Sequence, residues 1–150
     1  MTLPRLALES SYARTLLPLA RMWRQAADGA LSGMGLSASI GWALIQVGRL
    51  GNDARQTDLA NELDVTQASL VRSLDQMVKG GLVERHRDTD DARVSRIRLT
   101  PHGRTLVARI EATLETLRRT MLDGVSDDDL ATALRVAEKV GTRFQQDRAR

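Results

Sequence analysis

Apolar residues recur at intervals of three and four through most of this chain, and the recurrence breaks at a few points rich in glycine, serine and aspartate. Leu8, Tyr12, Leu16, Leu19 and Trp23 lay one apolar stripe on a helix from about Arg5 to Ala27, because residues three and four apart share a helix face. Pro18 lies inside that run, where its missing N–H should kink the helix or leave a hydrogen bond unmade. Gly29 to Gly35 reads as a loop. Ser37, with Leu36 before it, offers an N-cap for a second helix that ends near Arg49. Gly51-Asn52-Asp53 reads as a turn. A short third helix is predicted from about Arg55 to Leu63, and Asp64-Val65 links it to a fourth that Thr66 caps and Gly80-Gly81 stops. The apolar side of the fourth helix is Leu70, Leu74, Met77 and Val78.

The period then changes. Leu82 to Arg87 and Arg93 to Leu99 read as two strands, and in the second Arg96 and Arg98 alternate with Ile97 and Leu99, as in a strand with one buried face. Asp88-Thr89-Asp90-Asp91-Ala92 is a turn-rich tip between them. Thr100-Pro101 starts a fifth helix, with threonine as N-cap and proline at the first helical position. Leu106, Ile110, Leu114, Leu117 and Met121 form its stripe. Ser126 followed by Asp127, Asp128 and Asp129 starts a sixth, striped by Leu130, Leu134, Ala137, Val140 and Phe144. Carboxylates in a first turn favour the helix dipole, and no partner ligands lie near this acid triplet, so capping accounts for it better than a metal site. The sum is a mainly α chain of about six helices and one two-stranded hairpin.

Bulk properties narrow the classes. At 150 residues there is room for about one domain, and 42% hydrophobic against 27% charged residues argues against wholesale disorder. A net charge of +3 permits a nucleic-acid partner only if the basic residues cluster. The absence of cysteine excludes disulfides, thiolate metal sites and thiol chemistry. His86 and His102 match no metal-ligand spacing, and no metal or cofactor is expected. Arg5, Glu9, Arg14, Arg21 and Arg24 interrupt the N-terminal segment, so it is not read as a signal peptide. Gly29 to Gly48 carries no charge, but its five glycines and three serines cluster early, and a loop leading into a buried helix fits it better than a membrane span. A cytoplasmic protein is expected. No phosphate-binding glycine motif, HExxH pair or Ser-His-Asp set is present, and the chain is not expected to be an enzyme.

The chemistry that remains is basic and polar. Away from its apolar side, the fourth helix carries Gln67, Ser69, Arg72, Ser73, Gln76 and Lys79. Helix three, a short turn and helix four have helix-turn-helix spacing, in which the second helix can enter a DNA major groove. The basic hairpin that follows completes a winged helix, whose arginines, Arg85, Arg87, Arg93, Arg96 and Arg98, can reach phosphates and a minor groove. The first, fifth and sixth helices are too amphipathic to stay in solvent and are expected to pack on those of a second subunit. Residues 5–35 and 104–150 are therefore assigned to dimerisation, and 36–103 to a DNA-binding lobe.

Gln56-Thr57-Asp58-Leu59-Ala60, the stretch Val65 to Arg72, Gly81-Leu82-Val83-Glu84-Arg85, Asp91-Ala92-Arg93 and Leu99-Thr100-Pro101-His102-Gly103, in that order and spacing, resemble the MarR/SlyA family of bacterial transcription regulators. The resemblance spans nearly the whole chain and is strongest from about Gln56 to Gly103. It implies a homodimer that binds a pseudo-palindromic double-stranded DNA operator. It also implies that the Asp91 and Arg93 pair is the wing's D-x-R signature, with Asp91 bracing the hairpin or its arginine and Arg93 entering the minor groove, where concentrated negative potential attracts guanidinium. Gln67, Ser69 and Arg72 become major-groove readers, since glutamine pairs with adenine and arginine with guanine. Gln56, Thr57 and Thr66 become phosphate holders. The Asp88-Thr89-Asp90 tip is more acidic than the family pattern and argues against deep insertion of the wing.

Family members respond to small aromatic or phenolic ligands bound where the dimer helices meet the DNA-binding lobe. By that resemblance Trp23, Trp42, Met22 and Ile45, with Arg14 as a carboxylate partner, are the candidate effector residues; as plain chemistry they read better as core residues, with Arg14 on the surface. A repressor relieved by such a ligand is the leading expectation. An activator without an effector, or a winged-helix module that binds another protein, is the alternative.

Overall fold

Ser37, Thr66, Thr100 and Ser126 each stand one residue ahead of a helix in the computed structural model, which describes residues 4–51 and 53–148. Their hydroxyls accept from the backbone N–H of Ile40 (3.4 Å), Ser69 (3.2 Å), Gly103 (3.0 Å) and Asp129 (3.1 Å). Each bond satisfies one of the donors that a helix start leaves without a partner. The elements in chain order are α1 (Arg5–Gly33), α2 (Ala38–Arg49), β1 (Ala54–Arg55), α3 (Gln56–Leu63), α4 (Gln67–Lys79), β2 (Val83–Arg87), β3 (Ser95–Leu99), α5 (Pro101–Met121) and α6 (Asp127–Arg148). Asn52 of the expected turn lies outside the described residues.

Three boundaries differ from expectation: the end of α1, the start of α3, and the start of β3, which comes at Ser95 rather than Arg93. α1 runs through Pro18 and on to Gly33, absorbing the start of the expected loop. Ala27 and Leu31, four apart, are buried there, and their docking outweighs the roughly 1 kcal/mol that a helical glycine costs. The turn comes at Gly35, with φ at +76°. Arg55 lies in a strand rather than in α3. β1 pairs antiparallel with β3, Ala54 opposite Ile97 and Arg55 opposite Arg96, so the sheet has three strands in the order β1-β3-β2. Val78 is 41% exposed and does not join the core. It stands one residue past Met77, turned about 100° away around the helix.

The core is one cluster fed by α1 to α4, β2, β3 and α5. Ala27 and Leu31 of α1 meet Ala43, Leu44, Ile45 and Val47 of α2, Leu59 of α3, Leu70, Leu74 and Met77 of α4, Val83, Ile97 and Leu99 of the sheet, and Ile110 and Leu114 of α5. The charge-free run from α1 into α2 is bent by 97° between the two helices, and no single helix among the described residues is long and apolar enough to cross a membrane.

The hairpin is tied to the start of α5 around Thr100, whose hydroxyl donates to the Gly81 carbonyl at 2.6 Å. The Leu82 carbonyl accepts from Thr100 N–H at 3.0 Å and lies 3.2 Å from the Thr100 hydroxyl. A Cβ at Gly103 would sit 2.0 Å from that same oxygen, so no larger residue fits the close approach.

The compact unit that holds this core ends at Leu117, and a second begins at Arg118 and contains α6. None of the described α6 side chains is buried, and Leu134 and Phe144 are open to solvent. Leu8, Tyr12, Leu16, Leu19 and Trp23 of α1 are also 36 to 56% exposed.

Candidate nucleic-acid interface

α3 and α4 form the expected pair. α3 ends at Asp64, which adopts the left-handed conformation (φ 51°), and two residues later Thr66 caps α4. The Thr66 hydroxyl also donates to Ser69 Oγ at 3.0 Å, and Gln56 Nε2 reaches Gln67 Oε1 at 3.5 Å, tying the starts of the two helices together. With Leu70, Leu74 and Met77 buried, Gln67, Ser69, Arg72, Gln76 and Lys79 are left exposed. Arg72 has no ion pair among the described residues, so its donors are available to a ligand. Thr57 of α3 and the cap Thr66 are exposed, and Gln56 is half-buried.

The wing sorts its arginines into two kinds. Arg93 is 91% exposed, and Asp91 Oδ1 accepts from both its backbone N–H (3.0 Å) and its Nε (3.2 Å). Arg98 is exposed on β3, opposite Glu84. The others are engaged with the protein. Arg85 Nη1 lies 2.9 Å from Asp75 of α4, and its Nη2 donates to the Val71 carbonyl. Arg87 donates to the Ala92 carbonyl across the tip. Arg96, 24% exposed, donates through Nε to Asp88 and through Nη1 to the Asp53 carbonyl at 2.9 Å, with Asp53 Oδ2 at 3.5 Å.

Asp88 is the hub of the tip. Its side chain is only 8% exposed, and Oδ1 accepts from the backbone N–H of Asp90 (2.8 Å) and of Asp91 (3.1 Å). The Arg96 hydrogen bond, followed by those two N–H groups, holds its carboxyl down at about 2, against an ordinary 3.8. Asp88 in turn raises the guanidinium of Arg96. Asp53 faces His86 as well, whose Nε2 lies 2.9 Å from Oδ1. The acidity that argued against deep insertion is therefore partly internal: Asp88 is matched by Arg96, while Asp90 stays exposed.

Sequence reasoning named Arg85 and Arg96 as basic groups and missed their partners Asp75, Asp88 and Asp53. An aspartate bonding the backbone N–H two residues on is a turn signature, so Asp88-Thr89-Asp90 carried a readable signal. Asp53 carried none, being 43 residues from Arg96.

The expected effector residues differ in exposure. Ile45 is fully buried in the core, while Met22 and Arg14 lie exposed on α1, with Trp23 at its stripe. Trp42 is half-buried and donates from Nε1 to Asp28 at 2.7 Å, with the Arg24 guanidinium 4.6 Å from its ring centroid. Arg24, not Arg14, is the cation at that tryptophan; Arg14 lies ten residues, about 15 Å, up the helix.

Comparison with known proteins agrees with this architecture. A family model described as MarR family matches residues 34–94. The solved structure of the transcriptional regulator PA3341 is 30% identical, with 90% of this chain and 98% of that one covered at a TM-score of 0.82. A MarR family protein from Bacillus stearothermophilus is 20% identical, with 95% and 99% covered at a TM-score of 0.79. A mutant MarR from E. coli complexed with operator DNA is 21% identical, with 92% and 99% covered at a TM-score of 0.73.

Proposed function

The chain belongs to the MarR family of winged-helix transcription regulators, and from that premise we propose that it is a cytoplasmic, homodimeric repressor of a pseudo-palindromic double-stranded DNA operator. The observation that carries the reading is the pairing of two open basic elements on one lobe: Arg93, 91% exposed and held by Asp91, and the exposed polar face of α4 with Arg72, which has no ion pair among the described residues. In this reading Arg72, Gln67 and Ser69 meet base edges in the major groove, Arg93 enters the minor groove, and Gln56, Thr57, Thr66 and Arg87 lie along phosphates. Residues 36–103 form the reading lobe. Segments 5–35 and 104–150 carry the dimer contacts, supported by the exposed stripes of α1 and α6. Two-fold symmetry would then set the reading helices about one turn of DNA apart.

The likeness to a MarR solved with operator DNA supports the partner. Relief by a small aromatic or phenolic ligand is the finer part of the proposal. Its support is the surface aromatic Trp23, with Met22 near it in sequence and Trp42 held by Arg24 and Asp28. Such a ligand acts only by binding one dimer geometry better than another, so candidate ligands that leave DNA affinity unchanged at saturation remove this part.

The test is fluorescence anisotropy on a duplex enriched by the protein from a randomised pool, at two salt concentrations with competitor DNA. Tight binding that falls with salt, and about 10- to 100-fold with Arg93→Ala, is expected. Affinity no better than for random duplex, unchanged by Arg93→Ala and by Arg72→Glu, points instead to a winged helix that binds another protein.

A further inference from the structure

A basic strand beside a DNA-reading helix invites the assignment of every arginine to a phosphate, and an acidic tip invites the assignment of repulsion. The contacts at the wing contradict both. The Arg96 guanidinium bonds Asp88 through Nε and the Asp53 backbone through Nη1. The Asp88 carboxylate is filled by Arg96 on one oxygen and by two backbone N–H groups on the other. Those N–H groups belong to Asp90 and Asp91, and Asp91 is the residue that holds Arg93. One unbroken chain of contacts therefore runs from the loop before β1, through β3, to Arg93, whose side chain is 91% exposed.

We infer that Arg96 and Asp88 are positioning residues of the DNA-reading surface, touching no nucleic acid themselves and fixing the tip on which Arg93 stands. The inference rests on the DNA-binding reading above. It assigns Arg96 away from the phosphate role its sequence position suggests, and it turns the sign of the electrostatic expectation for Asp88. Removing a carboxylate from a DNA-facing tip should strengthen binding if the charge only repels phosphate. It weakens binding if that carboxylate places Arg93. Asp90, exposed on the same tip and without an ion pair among the described residues, is the matched control.

The experiment measures the affinity of Asp88→Asn, Asp90→Asn, Arg96→Gln and Arg93→Ala for a duplex enriched by the wild-type protein from a randomised pool, over a series of salt concentrations. Asp88→Asn is expected to bind roughly tenfold more weakly, within the range that coupled neighbours show, whereas Asp90→Asn binds as well as wild type or better. In an Arg93→Ala background the loss from Asp88→Asn disappears. Arg96→Gln keeps the wild-type salt slope, whereas Arg93→Ala lowers it by about one, as the loss of a direct phosphate-region contact does. Without DNA, hydrogen exchange at the Asp90 and Asp91 amides speeds up in Asp88→Asn. Asp88→Asn binding as tightly as wild type, an equal cost in the Arg93→Ala background, or a lowered slope in Arg96→Gln overturns the inference and leaves the DNA reading standing. A wild-type protein that enriches no sequence overturns the DNA reading itself, and this inference with it.

Discussion

The winged lobe and the first five turns of α1 carry the same kind of pattern and meet opposite fates. Leu70, Leu74 and Met77 of α4 are spaced by four and three and are all but fully enclosed within their own chain. Leu8, Tyr12, Leu16, Leu19 and Trp23 of α1 follow the same spacing and stay wet. Helical periodicity reports that a face is apolar, not which molecule covers it. The difference arises from what surrounds each helix: α4 lies among α2, α3 and the sheet, whereas the buried residues of α1 are Ala27 and Leu31, with Ala30 packed beside them, near the end of a helix about 44 Å long. A continuous apolar stripe that one chain leaves exposed is a surface for association.

The largest effect that tests this contrast is Leu74→Ala. A fully enclosed leucine truncated to alanine costs about 2–5 kcal/mol, read as a fall in the denaturant midpoint at any protein concentration. Leu16→Ala, the same truncation at a site 40% exposed, is expected to change little in dilute protein and to weaken self-association in sedimentation equilibrium. Equal costs at concentrations where the chain is monomeric would place Leu16 inside its own protomer and erase the comparison.

Glycines sharpen it next. Gly103→Ala drives a methyl into the Leu82 carbonyl, 2.0 Å away, and is expected to cost about 1–3 kcal/mol, the range for overpacking. Gly29 lies in α1 with nothing within 4 Å of its would-be Cβ, and Gly29→Ala should stabilise by up to about 1 kcal/mol. Paired thermal melts check both signs. A destabilised Gly29→Ala would show α1 to be as crowded as the lobe.

How much of this was legible follows locality. The caps at Ser37, Thr66, Thr100 and Ser126, the stop at Gly80-Gly81 and the alternation of β3 all depend on neighbours within four residues, and each stood in the sequence. The end of α1 depended on Leu31 finding α2, and β1 on Ala54 finding Ile97; neither has a local signature. The same rule divides the site. Asp91 and Arg93, two apart, were readable as a pair, and the structure adds the two bonds between them. Arg96 was readable as basic but not as engaged, because Asp53 comes to it from across the sheet. Ile45, grouped by type with the tryptophans, is enclosed in the core.

A smaller effect follows from the caps. Thr66→Ala removes the acceptor for Ser69 N–H and should cost about 1 kcal/mol of stability. It loosens the start of α4 just where Gln67 and Ser69 are presented. The N-cap of α3, Arg55, makes no side-chain cap bond, so Arg55→Ala should fall well short of that. Chemical denaturation of the two variants tests the ordering, and equal losses would mean that the α4 cap is not what fixes this helix.

The last effect is one of protonation and carries the same contrast, closed against open, into the wing. The Asp88 carboxyl is held at about 2 rather than 3.8, first by Arg96 and then by the Asp90 and Asp91 amides. A carboxyl depressed in the folded state stabilises it fully above the unfolded value, and that stabilisation is lost as pH falls through the folded one. The tip should therefore stay ordered down to about pH 4 and loosen between there and about pH 2, seen as faster exchange of the Asp90 and Asp91 amides. Carboxyl carbon shifts in NMR give the midpoint directly. In Arg96→Gln it should rise toward 3.8, because the strongest of the groups that hold it down is gone. A midpoint that stays near 2 in that variant would mean that the two amides hold the carboxylate by themselves. The tip would then be a self-contained turn, and Arg93 would owe its place to the hairpin alone rather than to the strand and loop behind it.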